Sequence, residues 1–157
     1  MILIAGIGNI FIGDDAFGSE VARRFAQRAT APNVRVVDFG IRGLDLAFAL
    51  LDGSDVTIIV DATQRGGAPG TIYVIEPDLN ELDALPASVD AHSLDPMRVL
   101  ALARSMGAQL KHVRIVGCEP ESFGTAGEGR IGLSPAVAGA VDTAIEVIES
   151  LIQEALV

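Results

Sequence analysis

Two carboxylates and one imidazole stand where α/β proteins usually do chemistry: Asp15, Asp61 and His92. Asp61 directly follows the apolar run VTIIV at 56–60. Ligand and catalytic carboxylates sit at such a place, the carboxyl edge of a sheet. An Asx turn onto Thr63 is the competing structural use. Asp15 closes the pair Asp14-Asp15, which opens an amphipathic stretch. Either carboxylate could instead cap that helix and favour its positive end. His92 is one of two histidines and lies between Asp90 and Ser93, in a segment without apolar periodicity. Alone it reads as a solvated loop residue, and His112, at the start of a strand, as a surface or core-edge one. Together, Asp15, Asp61 and His92 form an O,O,N set that suits a borderline divalent metal with open positions. Their long spacings leave convergence to the fold.

Other candidates carry weaker signals. Gly6 and Gly8 resemble the start of a dinucleotide fingerprint, with Asp38 in the place of a ribose-binding acid. The third glycine of that fingerprint would fall on Phe11, whose ring would fill the space where helix and strand must meet. A sharp turn needing positive φ explains the glycines as well. Arg42, between Gly40 and Gly43, is a turn cation that could grip a substrate carboxylate or remain solvated. Cys118 reads as a small buried residue, and its neighbour Glu119 discourages the thiolate a nucleophile needs. No H-E-x-x-H, C-x-x-C or G-x-S-x-G pattern is present, which removes the common zinc-peptidase and serine-hydrolase readings.

The elements that must position these residues alternate between buried runs and helical stripes. Met1 to Ala5, Val34 to Phe39, Val56 to Val60 and His112 to Gly117 read as strands. Thr71 to Glu76, stopped by Pro77, reads as an edge strand and a candidate for antiparallel pairing. Helices are expected over Asp14–Arg28, with Phe17, Val21 and Phe25 on one face, and over Leu44–Leu51. Asp95-Pro96 and Ser134-Pro135 each present an N-cap followed by proline at the first helical position. No long element is expected over 78–95, and Glu119–Arg130 reads as a loop. The sum is a single 157-residue domain, an α/β three-layer α/β/α sandwich with a mostly parallel sheet of about five strands. Asp15 beyond the first strand, Asp38, Asp61, Cys118 and Glu119 at later strand ends, and His92 in the loop before the Pro96 helix would then converge on one rim.

Composition narrows the partners. Lys plus Arg total 11 against 21 Asp plus Glu, a net charge of −10, which argues against nucleic acid and against anionic lipid. Half the chain is hydrophobic, enough for a full core, yet no apolar run approaches the ~20 residues of a membrane span. The N-terminus shows no secretory signal pattern, and a lone cysteine fits a reducing, cytoplasmic location.

The order of the motifs is itself informative. Gly6-Ile7-Gly8-Asn9 is followed by Gly13-Asp14-Asp15-Ala16-Phe17-Gly18, Asp38-Phe39-Gly40, Ile59-Val60-Asp61-Ala62 and Ala68-Pro69-Gly70-Thr71. His92 before a helix, Val116-Gly117, Pro120-Glu121-Ser122 and Gly132-Leu133-Ser134-Pro135 complete the series. Taken in this order, nearly the whole chain resembles the hydrogenase maturation endopeptidases, which process the large subunit of nickel–iron hydrogenases. The resemblance implies a peptidase that removes a C-terminal extension from the nickel-loaded precursor. It implies nickel ligands at Asp15, Asp61 and His92, with Asp15 standing where the family often has Glu, and it leaves Asp14 as a cap or support. Nickel would belong to the substrate, and no permanent cofactor is implied. Asp38, Gly40 and Arg42 would shape the cleft that accepts the extension. Water activation stays open between the metal and a carboxylate acting as in aspartic-type peptidases. A non-catalytic nickel checkpoint and a nucleotide-binding module are the alternatives.

Overall fold

The computed structural model describes residues 1–28, 31–85, 95–121, 123 and 132–155. Five strands form one sheet: β1 (Ile2–Ile7), β2 (Val34–Gly40), β3 (Val56–Ala62), β4 (Ile72–Ile75) and β5 (His112–Cys118). Their order is β2-β1-β3-β5-β4, parallel throughout except for β4, which pairs antiparallel with β5. Among the described residues four helices cover the two faces: α1 (Phe17–Ala26), α2 (Gly43–Leu51), α3 (Pro96–Ser105) and α4 (Pro135–Ala155). The expected layered α/β architecture and its antiparallel edge strand are both present.

Alternation along the strands divides the core. Ile2, Ile4, Ile58, Val60 and Val116 point to one face and pack with Phe17, Val21, Val141, Ile145 and Ile148 of α1 and α4. Leu3, Ala5, Ile7, Ile59 and Ile115 point to the other face and meet Leu46, Leu50 and Leu100 of α2 and α3. Each such fully buried large side chain contributes roughly 1.5–3 kcal/mol through removal from water. That double-sided burial is why β1 and β3 are continuous apolar runs rather than alternating ones.

The order 2-1-3 means that the chain leaves β1 in one direction for β2 and reaches β3 on β1's other side. The crevice at the carboxyl ends of β1 and β3 is therefore a topological switch point, where ligands of open α/β sheets bind. Gly6 of β1 is in register with Asp38 of β2 and Val60 of β3, and Asp61 with Gly117 of β5. Helix α1 lies unusually close to this edge. A Cβ on Gly18 would stand 2.1 Å from the Val60 carbonyl oxygen and 2.3 Å from that of Ile7, so only glycine lets the helix settle there.

Several local expectations shift. The first strand runs on to Ile7. The first helix starts later than Asp14: a 3₁₀ turn spans Gly13–Ala16, and α1 begins at Phe17 without any side-chain cap. A second 3₁₀ turn occupies Leu79–Ala84, with the Asp78 carboxylate accepting from the Asn80 amide. The helix starts behave as expected. Asp95 accepts from the Met97 amide ahead of Pro96, and α4 opens at Pro135.

Candidate active site

The turn after β1 and the end of β3 bring Asp15 and Asp61 together. Asp61 is the penultimate residue of β3 rather than a loop residue, and only 9 % of it is exposed. The Asx turn onto Thr63 does not form, because the Thr63 amide donates to the Cys118 carbonyl at 2.8 Å. Burial pushes the Asp61 carboxyl well above the ordinary carboxylate range. The negative charge of Asp15 pushes the same way, and that of Asp95 more weakly, against a bond from the Ala62 amide. The half-buried Asp15 is also raised by loss of water, partly offset by the Asn9 amide, which donates to its Oδ2 at 2.9 Å. Two carboxylates whose proton affinities are raised by burial, that of Asp61 also by the charge of Asp15, can hold and move a proton, or accept a cation in its place.

His92 lies outside the described residues. Among the described residues no group of three or more His, Cys, Asp or Glu side chains could hold a metal ion; of the expected set, Asp15 and Asp61 are the two that the structure describes and brings together. Asp95, three positions after His92, is the acid at the start of α3 whose charge reaches Asp61.

Asp38, Gly40 and Arg42 also come together, in a cleft next to the carboxylate pair. The cleft holds about 330 Å³ and is walled by Gly8–Phe11 on one side and Asp38–Arg42 on the other. Asp38 Oδ1 accepts from the Gly40 amide at 3.0 Å, and that bond turns the chain at the end of β2. The Arg42 guanidinium bonds the carbonyls of Asp38 (2.7 Å) and Phe39 (3.1 Å) and lies 3.4 Å from the Asp45 carboxylate, with its side chain exposed. Exposed Ile10, Phe11 and Ile41 give the cleft an apolar rim, and the buried Ser19 Oγ behind it lacks a hydrogen-bond partner among the described residues. Cleft and carboxylates share the 8–11 loop, since Asn9 lines the first and bonds Asp15 of the second.

A family model described as hydrogenase maturation protease (HycI) matches residues 19–151. The chain belongs to the hydrogenase maturation protease family. It is therefore an endopeptidase of hydrogenase maturation. A Methanocaldococcus jannaschii relative is 38 % identical to this protease over 150 residues, spanning 94 % of this chain and 93 % of its own. The structure of the Escherichia coli hydrogenase maturating endopeptidase HybD superposes with a TM-score of 0.78 at 30 % identity, covering 98 % of this chain and 93 % of that one. The Thermococcus kodakarensis NiFe hydrogenase maturation protease HycI gives 0.70 at 26 % identity, over 97 % and 92 %.

Two supporting groups in the protease, Asp14 and Glu119, escape a reading of the sequence. Asp14 does not cap α1. Its buried carboxylate accepts from the Ser134 amide and hydroxyl, 120 residues away. Glu119 gathers the 65–73 segment by accepting from the amides of Arg65 and Gly67 and from the Tyr73 hydroxyl, each at 2.8 Å. Those donors hold its carboxyl below the usual range. Only local pattern is visible in a sequence, and these bonds are all long-range. Cys118 is fully buried, its thiol pushed up to about 12 by burial first and then by the charges of Asp14 and Glu119. It is a core residue of the protease and no nucleophile.

Proposed function

We propose that this protease removes a C-terminal extension from the nickel-bearing precursor of a hydrogenase large subunit, acting on that nickel through Asp15, Asp61 and His92. The observation that carries the reading is the carboxylate pair at the β1–β3 crevice, each carboxyl raised by burial and that of Asp61 further by the charge of Asp15. In the free protein Asp61 favours its proton. A divalent ion brought by the substrate favours the ionised form and displaces that proton, because metal ligands must be deprotonated. The pair is thus better suited to receive a metal already held by a substrate than to retain one of its own. No thiolate is available to complete a resident site among the described residues, since Cys118 stays a thiol.

In this reading the nickel anchors the precursor, and the cleft of Asp38, Gly40 and Arg42 takes the adjoining stretch of the extension. A metal-held carbonyl or water beside a carboxylate is competent for peptide hydrolysis, with the second carboxyl available to return a proton to the leaving amine. The chain works as one peptidase domain without a permanent cofactor. A substrate still in assembly favours cytoplasmic placement, and fractionation would test it. No helix among the described residues is long and apolar enough to cross a membrane.

Metal-stripped protease mixed with precursor prepared with and without nickel tests the proposal. Cleavage of the loaded precursor alone is expected. Equal cleavage of both would overturn the nickel reading and leave a metal-independent acid–base pair. Binding of the loaded precursor without cleavage would indicate a checkpoint instead.

A further inference from the structure

Asp14 is buried to 1 % exposure, directly before the carboxylate on which the proposed reaction depends. Its Oδ1 accepts from the Ser134 amide at 2.7 Å. Its Oδ2 accepts from the Glu121 amide at 2.8 Å and from the Ser134 hydroxyl at 2.9 Å. Glu121 lies just beyond the end of β5, and Ser134 is the residue before Pro135, the first of α4. One carboxylate therefore ties the 3₁₀ turn at Gly13–Ala16 to two segments more than 100 residues further along the chain.

The residue after it is clamped from the other side. The Asp15 carbonyl oxygen would stand 1.9 Å from a Cβ on Gly8, so its backbone occupies the space the glycine leaves. The Asp15 amide donates to the Ile12 carbonyl at 2.9 Å, and its carboxylate accepts from Asn9. In a turn this short, the position of residue 14 dictates that of residue 15.

We propose that Asp14 is a positioning residue for Asp15: by pinning the 13–16 turn to the exit of β5 and the start of α4, it sets where the Asp15 carboxylate stands beside Asp61. This rests on the reading of Asp15 as a residue that acts on the substrate. The bonding demands a carboxylate. Each oxygen faces a backbone N–H, and a backbone N–H cannot rotate to become an acceptor. An asparagine here must aim its amide N–H₂ at one of those donors, whichever way it is turned. The Ser134 hydroxyl can adapt, but the amides of Ser134 and Glu121 cannot.

The test compares Asp14→Asn and Ser134→Ala with wild-type protease. It reads cleavage of nickel-loaded precursor as kcat and KM, and hydrogen exchange at the Asn9 amide, which the Asp15 carboxylate protects. Asp14→Asn should lower kcat by about tenfold or more with KM changed by less than ~2-fold, since small displacements of a reacting group fall on the chemical step. The Asn9 amide should exchange about tenfold faster, while that of Leu100 in the α3 core stays protected. Ser134→Ala, which keeps the backbone donor and loses the hydroxyl, should show the same pattern at a few-fold. If Asp14→Asn fails to fold, Ser134→Ala decides. A merely structural role would lower Tm and leave kcat and Asn9 exchange at wild-type values in the folded protein, and that result would overturn the proposal. Wild-type protease that fails to cut loaded precursor would count against the proposed function, while Asn9 exchange would still report the positioning.

Discussion

Asp61→Asn should make this protein more stable at neutral pH while abolishing processing. The sign follows from burial. In the fold, loss of water and the charge of Asp15 raise the Asp61 carboxyl well above its ordinary 3.8. Between that ordinary value and the raised one, the native state holds a proton that the unfolded chain has released. The free energy of unfolding must then fall with rising pH, by up to ~1.4 kcal/mol per pH unit for one proton. Whatever stability the protonated Asp61 contributes is fully present below 3.8 and is lost as pH rises through the folded value. Asparagine is near-isosteric and cannot ionise, so the variant escapes this loss. Other carboxylates, Asp15 included, titrate in both proteins and largely cancel in the difference. For a domain of this size ~1 kcal/mol moves Tm by about 2–4 °C, so the gap between variant and wild type should widen by about 3–6 °C per pH unit inside the window. Thermal melts of both proteins from pH 4 to 8 measure it. Parallel Tm curves across that range would show that Asp61 ionises like a surface aspartate, and the coupled-pair argument would fail with it.

Three further perturbations separate positioning, recognition and inert burial. Gly8→Ala places a methyl against the Asp15 carbonyl oxygen at a φ of +145°, so it should cost about 3 kcal/mol and processing with it, read by melts and cleavage. Arg42→Ala removes an exposed side chain whose ion pair with Asp45 is a surface one; stability should change by less than ~1 kcal/mol. The same variant should raise KM for the precursor several-fold with kcat retained, and an unchanged KM would remove Arg42 from the cleft's recognition surface. Cys118, its thiol pushed up to about 12, should resist iodoacetamide at pH 8 in the folded protein, and mass spectrometry after alkylation checks that.

What a sequence can disclose here divides by range. The runs at 2–5 and 58–60 are apolar without alternation because both faces of β1 and β3 are covered, and that signature is local. Asp95-Pro96 announces the start of α3 because a cap and its first turn are neighbours in the chain. The pair Asp14-Asp15 marks the limit of such reasoning. Two acids before a helical stripe read as helix caps, yet α1 has no side-chain cap, and Asp14 instead meets Ser134. Ser134 was itself legible as a helix start, but nothing in either motif says that one serves the other. Gly8 is similar. A turn glycine is readable, and its φ is indeed positive, but its closeness to the Asp15 carbonyl oxygen is a property of the folded turn. Asp61 shows why this matters for function. As a residue type it is one acid among many, and a surface acid at a strand end would ionise freely. It becomes a group reluctant to ionise because β1, β5 and α1 enclose the end of β3 and bring Asp15 beside it. The chemistry lies in the cost of that enclosure. Under the proposed function, the same burial that disfavours the charged carboxylates in the free protein is what a positively charged substrate centre would relieve on arrival.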